Sequence, residues 1–135
     1  TPIMRKISGQ LKLVLAQYEE VADFARFGAE IDRVTRQQII RGERLREVLK
    51  QPAYAPLPIA RQILILYAAG QGYLDDLPLQ QVSRCERELW QYAKREHHNV
   101  VRRLEEQQEF DEDLMETVGR LIERFMDRFL HRGRH

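Results

Sequence analysis

The stretch DEDLMETVGRLIERFMDRF, Asp111–Phe129, holds the clearest pattern in the sequence. Leu114, Val118, Leu121, Ile122, Phe125 and Phe129 recur at intervals of three and four, the spacing of one helix face. Asp111, Glu112 and Asp113 stand just before it, where carboxylates interact favourably with a helix N-terminus. The same periodicity spreads outward. Leu79 to about His97 reads as a helix with Val82, Cys85, Leu89, Tyr92 and Ala93 facing in. Val100, Val101 and Leu104 give a weaker segment ahead of a polar run. Pro58–Ala69 is apolar on nearly every side from Ile63 onward, as expected of a helix through the centre of a domain. Pro58 suits its first position, and Gly70-Gln71-Gly72-Tyr73 its end.

Two further helices precede these. Leu11, Val14, Leu15, Tyr18, Val21, Ala22 and Ala25 mark one face of a helix from about Gly9 to Phe27, closed at Gly28. Val34 to Lys50 follows, with Asp32 as N-cap and a stripe of Val34, Gln38, Gly42, Leu45, Val48 and Leu49, widened by Ile39 and Ile40. Pro52, Pro56 and Pro58 make residues 51–57 a stiff loop. No stretch shows strand-type alternation, and there are no internal repeats. The expectation is an all-α, compact bundle of five to six helices.

Composition bounds the function. The 135 residues suit one domain, and a 43% hydrophobic share suits one core. The 22 basic and 21 acidic side chains nearly cancel, which argues against a dedicated nucleic-acid or anionic-membrane binder. The single cysteine excludes a disulfide framework and a Cys-rich zinc site. The longest apolar run, Ile63–Ala69, is far short of the ~20 residues that span a bilayer.

Candidate chemistry is sparse. His97 and His98 point about 100° apart on a helix and cannot share an ion, so no metal site is expected. Asp75-Asp76, like Asp111-Glu112-Asp113, is better read as helix capping than as an acid–base pair. Cys85 lies on an inward stripe and reads as an inert thiol. Arg33, Arg36, Arg41, Arg44, Arg46 and Lys50 form a basic stretch, but Glu43 and Glu47 interrupt it and no aromatic residue is interleaved. A solvated or protein-facing surface accounts for it better than nucleic-acid docking. No phosphate-cradling loop is present, so no catalytic residue is expected and these residues by themselves are not an enzyme.

Read as a string, the sequence holds Leu13-Val14-Leu15-Ala16-Gln17-Tyr18, Phe24-Ala25-Arg26-Phe27-Gly28 and Arg41-Gly42-Glu43-Arg44-Leu45 in order. Leu49-Lys50-Gln51, Tyr54-Ala55-Pro56 and Gly72-Tyr73-Leu74-Asp75 complete the series. Over about residues 4–95 this resembles the C-terminal helical domain of the alpha subunit of F-type ATP synthase, more loosely in the rest. The resemblance implies the tail of a three-domain subunit whose β-barrel and nucleotide-binding domain, with the phosphate loop, lie upstream. Residues 1–8 would then be a linker or the tail of that preceding domain, 9–130 the helical domain and 131–135 a disordered tail. The family arginine that reaches a neighbouring catalytic site would also lie upstream, and Arg5 is not its counterpart.

By the same resemblance, Gly28, Ala29, Glu30, Ile31 and Asp32 form a loop close to the rotating central stalk. Gln51 falls near the adenine of the non-catalytic nucleotide, although Ala53 replaces the family's second glutamine. The expected partners are the beta subunits and the central-stalk gamma subunit, with no nucleic acid. ATP or ADP with magnesium would belong to the full subunit and none to this stretch. The parent complex would be an ion-translocating ATP synthase, peripheral on an energy-coupling membrane (bacterial plasma membrane on its cytoplasmic side, or organelle inner or thylakoid membrane) and attached only through its other subunits. The alternatives are a standalone helical protein-interaction module and a basic-helix nucleic-acid binder.

Overall fold

The computed structural model describes residues 2–27, 30–50, 57–106 and 111–132. Six α-helices lie among them: α1 (Pro2–Arg26), α2 (Arg33–Leu49), α3 (Ile59–Gly70), α4 (Val82–Glu96), α5 (His98–Glu106) and α6 (Glu112–Arg132). A single 3₁₀ turn, Leu79–Gln81, leads into α4, and the described residues contain no strand. The all-α expectation holds.

Helix α3 occupies the centre, touching each of the other five helices. Its sequence explains why: Ala60, Ile63, Leu64, Ile65, Ala68 and Ala69 are all buried and together cover most of its circumference. Each large aliphatic side chain so buried contributes about 1.5–3 kcal/mol. Around it pack Leu89, Tyr92 and Ala93 of α4, Leu104 of α5, and Leu114, Val118, Ile122, Phe125 and Phe129 of α6. The helix that reads most clearly in the sequence thus presents its expected face to the core. Asp111 caps it, accepting the Leu114 N–H at 3.1 Å.

Three placements differ from the sequence reading. Helix α1 starts at Pro2 rather than near Gly9, and Ile3, Ile7 and Leu11 form its buried stripe. Gly9 lies on an open face where a Cβ would meet nothing, so its cost there is the ordinary helix penalty of about 1 kcal/mol. Asp75 and Asp76 cap no helix. The Asp75 carboxylate instead pairs with Arg41 at 3.0 Å, Asp76 is exposed in the turn, and the residue capping α4, Gln81, makes no side-chain bond. Val34 and Leu49, expected to face in, are 64% and 52% exposed.

Glu86 escaped the sequence reading, since its type gives no hint of burial. It is 5% exposed and takes two hydrogen bonds from Arg61, the Nη2–Oε2 contact being 2.7 Å. The carboxylate beside it holds the Arg61 guanidinium above its ordinary pKa. This pair ties α3 to α4 through fully satisfied charges, the condition under which a buried ion pair is tolerated.

Candidate functional site

The α1–α2 hairpin leaves the body of the domain. No described residue from 12 to 41 is buried, although most of them lie in two helices packed on each other. Beyond Leu11, α1 continues to Arg26, about 22 Å of helix at 1.5 Å per residue. On its predicted stripe Val14, Leu15, Tyr18, Val21 and Ala22 are half-buried against α2, and Ala25 is exposed. At the tip Phe27 is 87% exposed, Val34 64% and Phe24 61%. Phe24 and Phe27 fall off the stripe that starts at Leu11. Large apolar side chains on the outward side of an amphipathic helix are the sequence signal that could have picked them out.

Local chemistry shapes this tip. Asp32 begins α2: its Oδ1 accepts the Thr35 N–H at 2.7 Å and its carbonyl accepts the Arg36 N–H at 3.0 Å. The Thr35 N–H holds the Asp32 carboxyl below the usual carboxylate range. Glu30 is exposed and Ile31 half-buried. Of the loop read from sequence, Gly28 and Ala29 lie outside the described residues, as do Gln51 and Ala53. Glu30, Ile31 and Asp32 therefore stand beside Phe27 and Val34 in the sequence, whereas Gln51 comes in the sequence only after α2 has ended.

The hairpin is fixed at its base. Gly42 lets α2 come so close to Tyr18 that a Cβ would overlap the ring, and the Arg46 guanidinium lies 5.7 Å from that ring's centre. Arg41 reaches Asp75, while Arg44 donates from Nε to the Leu77 carbonyl at 3.1 Å and from Nη1 to the Ile40 carbonyl at 3.2 Å. The Arg41 guanidinium fills the space beside Gly72, whose φ of +89° excludes most side chains anyway. The basic stretch of α2 is largely consumed: Arg41, Arg44 and Arg46 make these contacts and Lys50 faces Glu47 at 3.5 Å. Arg33 and Arg36 remain exposed.

The other candidates lie apart from this site. Cys85 is fully buried with its Sγ 3.6 Å from Met126 Sδ, and burial pushes its thiol up to about 12, so no thiolate forms near neutral pH. His97 Nε2 sits 3.1 Å from the Tyr92 hydroxyl, whereas the neighbouring His98 is exposed. Among the described residues no three His, Cys, Asp or Glu side chains converge on a common point, and no helix is long and apolar enough to cross a membrane. What the hairpin tip can do is present an apolar end, flanked by charge, to another macromolecule.

Residues 1–125 match the family described as "ATP synthase alpha/beta chain, C terminal domain". The protein named ATP synthase subunit alpha from Aquifex aeolicus (strain VF5) is 39% identical over 127 residues, which is 94% of this chain and 25% of that protein. The 135 residues thus span about a quarter of the length of this curated relative.

Proposed function

The protein belongs to the family of ATP synthase alpha/beta C-terminal domains, in its alpha-subunit form, and from that premise we propose that it serves as a stator element beside the central stalk. The observation that carries this reading is the projecting α1–α2 hairpin with Phe24, Phe27 and Val34 exposed at its end. Next to this end Glu30, Ile31 and Asp32 would belong to the rotor-facing segment, to which the family resemblance also assigns Gly28 and Ala29. The body around α3 meets the beta subunits and holds the hairpin in place while the gamma subunit turns.

In mechanical terms the tip is a bearing surface. Its aromatic and aliphatic side chains give contact without a fixed hydrogen-bond register, and such contacts slide at lower cost than paired polar groups. Force arriving at the tip passes down two helices to Arg41–Asp75 and Arg44–Leu77, then into the central bundle. Catalysis and tight nucleotide binding belong to the rest of the complex. ATP or ADP with magnesium would bind in the full subunit at its non-catalytic site, and the phosphoanhydride chemistry would be carried mostly by the beta subunits. The described residues offer no cluster of carboxylates for magnesium; Gln51 is the one candidate here toward an adenine. Attachment to an energy-coupling membrane comes through other subunits.

Cross-linking in the assembled complex tests the assignment. Ile31→Cys in the alpha subunit, paired with a cysteine on the central stalk, is expected to form a disulfide that stops ATP hydrolysis until reductant is added. Cross-linking that never reaches the stalk from Glu30 or Ile31, in a complex that remains active and assembled, would overturn it.

A further inference from the structure

On another face, the groove between α4 and α6 is lined by arginines. Arg95 of α4 and Arg124 and Arg128 of α6 are exposed and form no ion pair among the described residues. Two shallow clefts run along this seam. One, of about 190 Å³, is lined by Glu88, Gln91, Tyr92, Arg95, Phe125 and Arg128. The other, of about 110 Å³, is lined by His97, Thr117, Arg120, Leu121 and Arg124. The Tyr92–His97 contact lies at their junction, and Tyr92 packs on Phe125 with ring centres 5.5 Å apart. Tyr92, Phe125 and Leu121 therefore give the seam an apolar floor, and its walls carry four guanidinium groups with Glu88 as the one carboxylate among the lining residues. Of the nearby acids, Glu88 pairs with Arg84 at 3.0 Å and Glu116 with Arg120 at 2.8 Å, while Glu96, Glu123 and Asp127, which neighbour the three arginines in sequence, line neither cleft.

We infer that this seam docks an extended acidic segment of a partner protein, with carboxylates at alternate positions. The spacing sets the pattern. Arg124 and Arg128 are four residues apart on a helix, about 6 Å along its axis. Alternate side chains of an extended segment lie about 6.6–6.8 Å apart on one face. A Glu-x-Glu segment thus brings one carboxylate to each guanidinium, where charge-assisted and bidentate bonds are strongest. Arg95 closes over it from α4. A phosphodiester strand fits less well, because the aromatic rings of the floor, Tyr92 and Phe125, are buried and leave no face for base stacking. The surface is separate from the hairpin tip and does not depend on the stator assignment.

The test uses the full 135 residues and a fluorescein-labelled peptide of repeated Glu-Ala dipeptides, read by anisotropy. An isomer with the same glutamates in one block serves as reference. Saturable binding several-fold tighter for the alternating peptide is expected, weakening as KCl rises from about 0.05 M to about 0.3 M. Arg124→Ala with Arg128→Ala is expected to weaken it about fivefold or more, and Arg33→Ala with Arg36→Ala on α2 less than about twofold. Equal losses in the two double variants, equal affinity for the two peptides, or no saturable binding would overturn the inference. Tighter binding of single-stranded DNA or of phosphatidylserine vesicles through the same arginines would overturn its assignment to a protein partner.

Discussion

Between Ile59 and Gly70 one short helix buries six residues, whereas in the far longer span from 12 to 41 no described residue is buried. The two regions have the same secondary structure and differ in what surrounds them. Helix α3 is packed by five neighbours, so its stability is that of the whole core. The outer hairpin has only its two helices to bury against each other. Local opening there can occur at lower free energy than global unfolding. A helix alone says little about rigidity; what it touches decides whether it is a core member or an arm.

The contrast is broken most directly by a pair of leucine truncations. Leu64→Ala removes a side chain that is 1% exposed in α3 and is expected to destabilise by about 2–5 kcal/mol in urea unfolding. Leu13→Ala, at 61% exposure on α1, is expected to stay within about 0.5 kcal/mol. Comparable losses at the two sites would mean that the hairpin is held against a larger surface than its own two helices.

The base of the hairpin falls between these extremes. Gly42→Ala drives a methyl into Tyr18 and is expected to cost about 1–3 kcal/mol, measured by thermal unfolding. Because the clash is with one side chain, Tyr18→Ala added to the same variant should relieve part of the strain, and the two effects should fall short of their sum. Strict additivity would show that α1 and α2 are not joined through this contact.

Sequence periodicity worked where burial was one-sided and failed where it was not. In α6 Leu114 through Phe129 line one face and meet the core, so spacing and packing carry the same information. In α1 and α2 the periodic stripe meets the core at Leu11, Leu45 and Val48, but farther out along the hairpin it reports only the mutual packing of two helices. It made Val34 look internal, and it left Phe24 and Phe27 on the outward side without saying what they would meet there. Gly9 was misleading because Gly marks helix ends only when a left-handed turn or a close approach requires it, and here neither does. Asp75 and Glu86 were illegible for a different reason. Their partners, Arg41 and Arg61, are distant in sequence, and no local spacing announces such a pair. The candidate site was legible at Asp32, where capping is local, and not at the exposed aromatic residues, whose significance needs the fold.

The smallest expected effect lies at the tip and concerns the Asp32 cap. Its carboxyl titrates below the ordinary value of 3.8, chiefly because the ionised form accepts the Thr35 N–H. The sign follows from that depression. The stabilisation is present above about 3.8 and is lost as pH falls through the lower, folded-state value. Since the group is fully solvent-exposed, the consequence is local fraying of the first turn of α2 rather than unfolding of the domain. Hydrogen exchange at the Thr35 amide reads it. Asp32→Ala should speed that exchange at neutral pH, while Asp32→Asn, which keeps an acceptor oxygen, should preserve protection and remove its dependence on acid pH. Amides of α3 should be unchanged in both variants, because the arm can fray without disturbing the core. Matching changes in α3 would show that the first turn of α2 opens only together with the core, which would erase the distinction between the two regions.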